Sequence, residues 1–487
     1  MLFVKSTDGV WDSPHASRAD VEQGPAQVPA SESGPRGGDL PPPAGGGGGP
    51  LVHSIALATW ALFVGIGLLL VGAGLFGTLI SVRAELDGFG SLVIGLISAA
   101  YYGGFLAGSR LTLRLLHEVG HIRVYAALAS TFAAAIVLAG MTAGPWSWIA
   151  LRFVAGACLA GQYVVAESWL NQLVTSRSRA RLLSRYTVLT VVAFGIGQLW
   201  FTRLDPTAVT GFGIAAVLIA LAVTPVALSV DARPPTIAQP VHLPLRELFG
   251  IAPTGAITST LVGIAHGAFL GLGAVYAARS GLSIGQIGLF VLMPTLGSLL
   301  LSIPISSLSD RRDRRLVGVL AAAAAVGAAA MLLLLGPDTA GGFVAMAVLG
   351  GVSYPLYTIA GAYTNDWVPE ATLTAVASHL VMLFGIGALV GPLLASILMA
   401  ALGADGYVWA VLGAHVVIVT FLLVRILQHP AAERAKPWNA VNISGRALYL
   451  PSTVVSLGRR MRPQAWRAPR PTPPRCSGRG DGDGPDR

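Results

Sequence analysis

About a dozen apolar stretches follow one another between Leu51 and Pro430. Each has roughly 18 to 25 residues, which as a helix is enough to cross the hydrocarbon core of a bilayer. Because a backbone in hydrocarbon must satisfy its own amide groups, these stretches are predicted to be helices. Charged residues make up 11% of the 487-residue chain, whereas soluble domains have about 25%. We therefore predict an all-α membrane protein.

The stretches predict twelve transmembrane helices in two six-helix bundles. The spans are placed at residues 54–80, 91–113, 121–142, 146–170, 186–204, 210–230, 254–278, 284–307, 316–336, 342–364, 374–400 and 406–427. The predicted segments are a disordered cytosolic extension at 1–50, bundles at 51–230 and 251–430, a central cytosolic loop at 231–250 and a basic disordered cytosolic tail at 431–487.

The loop arginines predict the orientation. Loops on the side of the two termini hold thirteen arginines, whereas the opposite loops hold Arg83, Arg203 and Arg279. The positive-inside rule then places both termini in the cytosol. All but two of the 32 basic residues are arginine, and alanine, glycine and proline are abundant. This usage indicates a GC-rich bacterial source and hence the bacterial cytoplasmic (inner) membrane.

Two features suggest that the second half repeats the first. Each half has a basic hairpin after its second span, and "FGIG" occurs in the fifth span of each half. A repeat of six plus six helices is the architecture expected when two bundles rock about a central site.

The hairpin "SLSDRRDRRLVG" resembles the signature hairpin of the major facilitator superfamily, Gly-x-Leu-x-Asp-Arg-x-Gly-Arg-Arg. Ser306 and Asp313 stand where glycines are usual, and in the first half His117 takes the acidic position. The matching residues are Leu308, Asp310, Arg311, Arg314 and Arg315, with Gly120 and Arg123 in the first half. The resemblance implies a cytosolic gating hairpin, in which Asp310 meets the start of span eleven or a neighbouring arginine. The alternative is that the hairpin only fixes the orientation.

Three further stretches extend the resemblance. "WIALRFVAGACLAG" resembles the fourth-span motif of the superfamily, whose arginine falls on Arg152. "AESWLNQLVTSRSRARLLSRY" and "GGVSYPLYTIAGAYTNDWVPE" are similar to the YcaD-like subgroup of uncharacterised bacterial transporters. The resemblance covers about residues 51–430 and implies the superfamily fold and a transport function.

Ionisable residues inside the spans are candidates for coupling. A charge at mid-bilayer costs at least about 2.5–3.5 kcal/mol, so Arg152 should face the bundle interior or a wet cavity. It could bind an anionic group of the substrate or act on a proton-carrying partner, or it could simply hold backbone carbonyls. Glu167 could carry a proton or pair with Arg177 or Arg181. Trp169 is expected to anchor the membrane interface.

Other polar groups in the spans have two interpretations each. His266, and with less reason His379, could carry a proton, because an imidazole titrates near neutral pH, or could bond a neighbouring helix. The candidates for lining a cavity are Gln162, Tyr163, Gln198, Tyr276, Tyr354 and Tyr357. Each could instead make a hydrogen bond between helices.

These observations predict a secondary active transporter of a small solute that is coupled to protons and works by alternating access as a rocker-switch. They predict that the protein is not an enzyme. The alternative is a membrane sensor or scaffold that has kept the fold without transport. A Walker motif does not occur in the sequence, which argues against pumping driven by nucleotide hydrolysis. We expect a monomer in the lipid bilayer, with a small-molecule substrate and protons as partners. We expect no cofactor, metal ion or nucleic acid.

Overall fold

The computed structural model describes residues 50–173, 176–228, 243–369 and 372–428. Within these ranges twelve helices are long and apolar enough to cross a membrane, and we number them spans 1 to 12. They are Pro50–Leu86, Ser91–Val119, His121–Met141, Pro145–Leu173, Ser176–Phe201, Thr210–Leu221 continued by Val223–Ala227, Pro253–Arg279, Ile284–Arg311, Arg314–Leu335, Ala340–Asn365, Leu373–Leu402 and Gly406–Gln428. A short helix, Leu245–Ile251, precedes span 7. The predicted all-α fold with twelve spans is confirmed.

Several helices extend beyond the apolar stretches that predicted them. Span 8 continues to Arg311 instead of ending near residue 307, and span 5 begins at Ser176 instead of near residue 186. Arginine, leucine and alanine are good helix formers in water as well as in lipid, so a helix need not stop at the bilayer. Hydropathy therefore marks the part of each helix that lies in the membrane, not its full length.

Where the structure describes the whole connection, short loops join successive spans, which therefore run in opposite directions. The loops after spans 2, 8 and 10 lie at one end of the molecule. We call it the arginine-rich end, because Arg114, Arg123 and the hairpin arginines lie there. The other end carries Glu85 and Arg279, at the ends of spans 1 and 7, and we call it the Glu85 end.

The repeated Phe-Gly-Ile-Gly sequence lies at corresponding places in spans 5 and 11. Its second glycine packs against the backbone of the first span of its own half. A methyl group at Gly197 would collide with the Val71 carbonyl of span 1, and one at Gly387 would collide with the Thr260 carbonyl of span 7. Small residues that let two backbones approach closely are a common basis of helix contact in membranes. The same glycine contact therefore stabilises both halves.

The first glycine of each copy faces the other half. A methyl group at Gly195 would lie 3.1 Å from Leu292 Cδ1 of span 8, and one at Gly385 would lie 3.4 Å from Leu106 Cδ1 of span 2. Spans 1–6 and spans 7–12 therefore form two six-helix bundles, as predicted. The bundles meet where span 5 packs on span 8 and where span 11 packs on span 2.

Candidate functional site

A cavity of about 60 Å³ lies between the two halves, in the part of the spans nearer the Glu85 end. Spans 1, 2, 4 and 5 line it from the first half, and spans 7, 8 and 10 line it from the second. Its polar lining residues are Thr78, Ser81, Ser98, Tyr101, Tyr102, Arg152 and Gln198. Because both halves contribute to the lining, a change in their relative tilt would change the cavity.

Arg152 lies in this cavity and contacts two aromatic rings. Its Cζ atom is 4.5 Å from the centre of the Tyr101 ring and 5.4 Å from the centre of the Phe76 ring. Only 8% of the residue is exposed. A guanidinium over a ring face is attracted by about 0.5–2 kcal/mol, with the larger values in desolvated sites. Spans 1 and 2 thus fix the position of a charge that span 4 supplies.

Of the six residues predicted to line a cavity, Gln198 lines this one and accepts a hydrogen bond at 3.2 Å from Thr295 of span 8. The structure places the other five in different surroundings. Gln162 donates to the Tyr125 carbonyl of span 3 at 3.0 Å. Tyr276 stacks on Tyr407, with ring centres 4.9 Å apart.

The remaining three predicted lining residues are also buried among aromatic side chains. Tyr163 packs beside Phe105, Tyr357 beside Phe384, and Tyr354 beside His266. The sequence shows that a span contains a polar residue, but packing decides which way that residue turns. These five residues belong to contacts within a half or between neighbouring helices, not to the cavity around Arg152.

His266 takes part in a buried hydrogen-bond chain through spans 7, 10 and 12. Its Nε2 atom is 3.1 Å from Ser353 Oγ, which is 2.8 Å from His415 Nε2. His415 Nδ1 is in turn 2.7 Å from the Val411 carbonyl. We call His266, Ser353 and His415 the histidine chain. The sequence analysis missed Ser353 and His415, although a lone histidine in an apolar helix is the same signal that singled out His266.

The directions of the bonds in the histidine chain follow from its last member. A carbonyl can only accept, so His415 Nδ1 donates to Val411, and in the neutral imidazole His415 Nε2 then accepts from the Ser353 hydroxyl. The Ser353 oxygen then accepts from His266 Nε2. This leaves His266 Nδ1 as an acceptor, and it has no hydrogen-bond partner among the described residues. His379, by contrast, bonds the Ala375 carbonyl of its own helix at 2.7 Å.

Glu167 is buried near the arginine-rich end of span 4, with 5% of the residue exposed. The side chains of Arg177 and Arg181, its predicted partners, lie outside the described residues. The neighbouring Ser168 hydroxyl is 3.1 Å from His121 Nε2. Trp169 is fully buried and its ring centre is 6.0 Å from that of His121. The expectation that Trp169 anchors the membrane interface is therefore wrong, because packing against span 3 encloses it.

The second hairpin is built around Arg314, of whose side chain 5% is exposed. Arg314 Nε donates to Asp366 Oδ2 at 2.7 Å, and Nη1 donates to Asp310 Oδ1 at 3.1 Å. The sequence analysis did not single out Asp366, which directly follows span 10. One arginine thus connects the ends of spans 8 and 10 to the start of span 9. Asp310 thus pairs with a neighbouring arginine of its own half.

The two hairpins differ at the positions where the superfamily pattern has glycine. Gly120 has φ of +90°, a conformation that favours glycine. Asp313, where a second glycine is usual, has φ of −59° and therefore needs no glycine. Its side chain instead accepts from the Arg315 backbone at 2.9 Å and pairs with Arg315 Nη2 at 3.0 Å. Arg311 and Arg123 are exposed, and the His117 side chain lies outside the described residues.

Comparison with known sequences identifies relatives over most of the chain. A family model of the Major Facilitator Superfamily matches residues 255–474. An uncharacterized MFS-type transporter of Enterobacter sp. (strain 638) is 30% identical over 382 residues, which are 77% of this chain and 96% of the relative. The uncharacterized MFS-type transporter YcaD of Escherichia coli O139:H28 is 28% identical over 386 residues, which are 77% and 96% of the two chains.

Comparison with solved structures identifies the same fold in more distant proteins. The crystal structure of the nucleoside transporter NupG has a TM-score of 0.66 at 14% identity, covering 77% of this chain and 100% of NupG. A bacterial homolog of the human lysosomal transporter Spinster, in an inward-facing and occupied conformation, has a TM-score of 0.59 at 16% identity. That match covers 76% of this chain and 95% of the homolog. At these identities the similarity concerns the fold alone.

Proposed function

Because the chain belongs to the major facilitator superfamily, where its relatives are YcaD-like transporters, we propose that it is a secondary active transporter that carries a small solute by alternating access, coupled to protons. The observation that supports this proposal is the cavity around Arg152, which both halves line. A buried charge in a membrane protein is costly unless it has a function or a partner. The solute would bind there, and the two halves would tilt about it.

Alternating access needs contacts between the halves that can break, and the Glu85 end has contacts of this kind. Arg279 of span 7 donates to Glu85 of span 1 at 2.8 Å and to Ser91 of span 2 at 2.6 Å. Ser98 of span 2 donates to the Gly271 carbonyl of span 7 at 3.0 Å. We propose that these few polar contacts hold the Glu85 end closed in one state of the cycle. We propose that this end faces outward and that the arginine-rich end is cytosolic.

Removing the Arg279–Glu85 pair is expected to favour opening at the Glu85 end. Both side chains are about one-fifth exposed, and exposed pairs contribute about 0.2–1 kcal/mol, so Arg279→Gln should raise the open population by at most about fivefold. The measurement is the labelling rate of Thr78→Cys in the cavity by a membrane-impermeant maleimide, in cells whose protein lacks the two native cysteines.

A matched control for Arg279 is Arg83, whose pair with Asp87 at 2.8 Å joins residues of the same half. Arg83→Gln should leave the labelling rate of Thr78→Cys unchanged. Equal rates in the Arg279 and Arg83 variants would mean that the outer contacts do not control opening.

We propose the histidine chain as the site of proton coupling. Span 10 places Ser353 and Tyr354 beside His266, span 11 places Phe384 there, and span 12 supplies His415 through Ser353. None of these neighbours is a carboxylate, so a proton on His266 would add an uncompensated buried charge. Proton uptake would therefore be favourable only when the tilting halves admit water.

Solute flux tests the proposed function against that of a sensor or scaffold. In proteoliposomes that contain a pH-sensitive dye, a transported solute should change the internal pH, and a pH gradient should drive its accumulation. His266→Gln should abolish both effects but leave solute exchange intact, because exchange needs no net proton movement. His379→Gln is the matched control, since His379 bonds only its own helix in the described contacts. Absence of flux for every solute tested would favour the sensor or scaffold.

A further inference from the structure

We propose that the cavity around Arg152 selects small monocarboxylates, solutes with one negative charge and no positive charge. This inference rests on the proposed transport function and names the solute class. It depends on the charge of the cavity, the chemistry of the guanidinium, the hydrogen-bonding state of the lining hydroxyls and the size of the cavity.

The charge of the cavity favours an anion. Among the described residues that line it, Arg152 is charged and none is acidic. The rest of the lining consists of hydroxyl, amide, aromatic and aliphatic groups and of glycine backbone. In a site with low effective dielectric constant, a fixed positive charge attracts an anion and repels a cation much more strongly than in water.

The chemistry of the guanidinium favours a carboxylate. The rings of Tyr101 and Phe76 contact Arg152, with centres 4.5 Å and 5.4 Å from its Cζ atom. The five N–H donors of a guanidinium lie in one plane. A planar carboxylate can accept two parallel hydrogen bonds from such a group. An arginine in the lining therefore suits a carboxylate better than it suits a spherical anion.

The lining hydroxyls argue against a zwitterion. Thr78, Ser81 and Ser98 each donate their hydroxyl hydrogen to a backbone carbonyl. Each therefore presents lone pairs to the cavity, which can accept from a hydroxyl group of the solute. A solute ammonium group would meet only such neutral acceptors, which repay little of the cost of removing a charge from water. Hydroxy acids fit this lining, and amino acids do not.

The size of the cavity argues against large amphipathic solutes. A volume of about 60 Å³ holds roughly four to six water molecules, which a solute of about six non-hydrogen atoms would replace. Sites for drug-sized ligands typically have about 300–1,000 Å³. Acids of about three to five carbons are the expected range.

Binding to the purified full-length protein tests this proposal with matched three-carbon solutes. Lactate has the carboxylate, lactamide is its neutral counterpart, and alanine adds an ammonium group. Lactate or another short acid, such as propionate or pyruvate, should raise the melting temperature and compete for uptake into proteoliposomes. Lactamide and alanine should do neither at concentrations about tenfold higher.

Variants of Arg152 connect the selectivity to this residue. Arg152→Gln should weaken acid binding by about 30-fold or more, the usual effect of losing one side of a buried charge pair. Arg152→Lys keeps the charge without the planar fork and should bind at an intermediate affinity. The exposed Arg203, outside the cavity, provides the control Arg203→Gln, which should bind acids normally. If Arg152→Gln does not fold, the Lys variant and the solute series still decide the question.

The outcomes separate the solute class from transport itself. If lactamide or alanine binds as tightly as the acids, or if no short acid binds, the monocarboxylate proposal is wrong, even when other solutes are transported. Competition by chloride or phosphate at equal strength would also contradict it, because it would mean a site for inorganic anions. Absence of flux for all solutes contradicts the proposed function, whereas acid binding without flux would leave the assignment of the site intact.

Discussion

Replacing Gly387 with alanine is expected to lower the melting temperature by several degrees and to reduce the yield of folded protein. The added methyl group would collide with the Thr260 carbonyl of span 7. A backbone atom cannot rotate away as a flexible side chain can, so spans 7 and 11 would have to separate. Overpacking of this kind costs about 1–3 kcal/mol, and separation also loses the close contacts that hold helices together in lipid. Thermal unfolding in detergent, followed by size-exclusion chromatography, measures the effect.

The repeat provides a second test site and a close control. Gly197→Ala should cause a similar loss, because its methyl group would collide with the Val71 carbonyl of span 1. Gly413→Ala on span 12 should be neutral, since no heavy atom lies within 4 Å of the added methyl group. A Gly387 variant as stable as the Gly413 variant would show that the glycine contact does not stabilise the half.

Replacing Arg314 with glutamine is expected to destabilise the arginine-rich end and to impair transport. The change leaves the carboxylates of Asp310 and Asp366 without the cation that both contact. Breaking a buried pair from one side costs about 3–5 kcal/mol. We expect about 2–3 kcal/mol here, because the two aspartate side chains are 27% and 32% exposed and keep part of their hydration. The melting temperature and the initial rate of flux measure the two effects.

Two further variants distinguish a gating hairpin from a hairpin that only fixes the orientation. Arg311→Gln removes an exposed arginine and should leave stability unchanged. Asp310→Ala removes one carboxylate and keeps the Arg314–Asp366 contact, so it should lower flux more than it lowers the amount of inserted protein. Normal flux in the Asp310 variant would contradict a gating role. Normal stability in the Arg314 variant would mean that the contacts at this end do not stabilise the fold.

The sequence predicts the spans well, because their length is imposed by the bilayer. Each crossing needs about 20 apolar residues, and that requirement is visible in the chain without any knowledge of packing. The paired Phe-Gly-Ile-Gly segments could also be read directly, since identical residues occupy corresponding spans. Arg152 was identifiable for the same reason, because a charge in a long apolar run is conspicuous.

The surroundings of individual polar groups could not be predicted in the same way. Tyr276 and Tyr357 turn toward neighbouring aromatic side chains instead of the cavity, and this depends on how each helix is rotated. Asp366 contacts Arg314 although the two residues are 52 positions apart in the chain, and the sequence around one gives no sign of the other. Contacts between helices are decided by packing of side chains that are distant in the chain, whereas hydropathy is a local property.

The glycines at the contacts between the two halves affect how easily the halves can move against each other. Gly195 and Gly385 have no side chain to interlock with the opposing helix, so at these two positions the helix backbone packs directly against Leu292 and Leu106 of the other half. Helices whose side chains interlock must separate before they can slide past each other. At a glycine, the opposing side chain can move along the backbone at a nearly constant distance. If the halves tilt as proposed, the contacts at these two glycines would offer little steric resistance. Resistance to tilting would then come more from the polar contacts between the halves, such as Gln198 with Thr295 and Arg279 with Glu85.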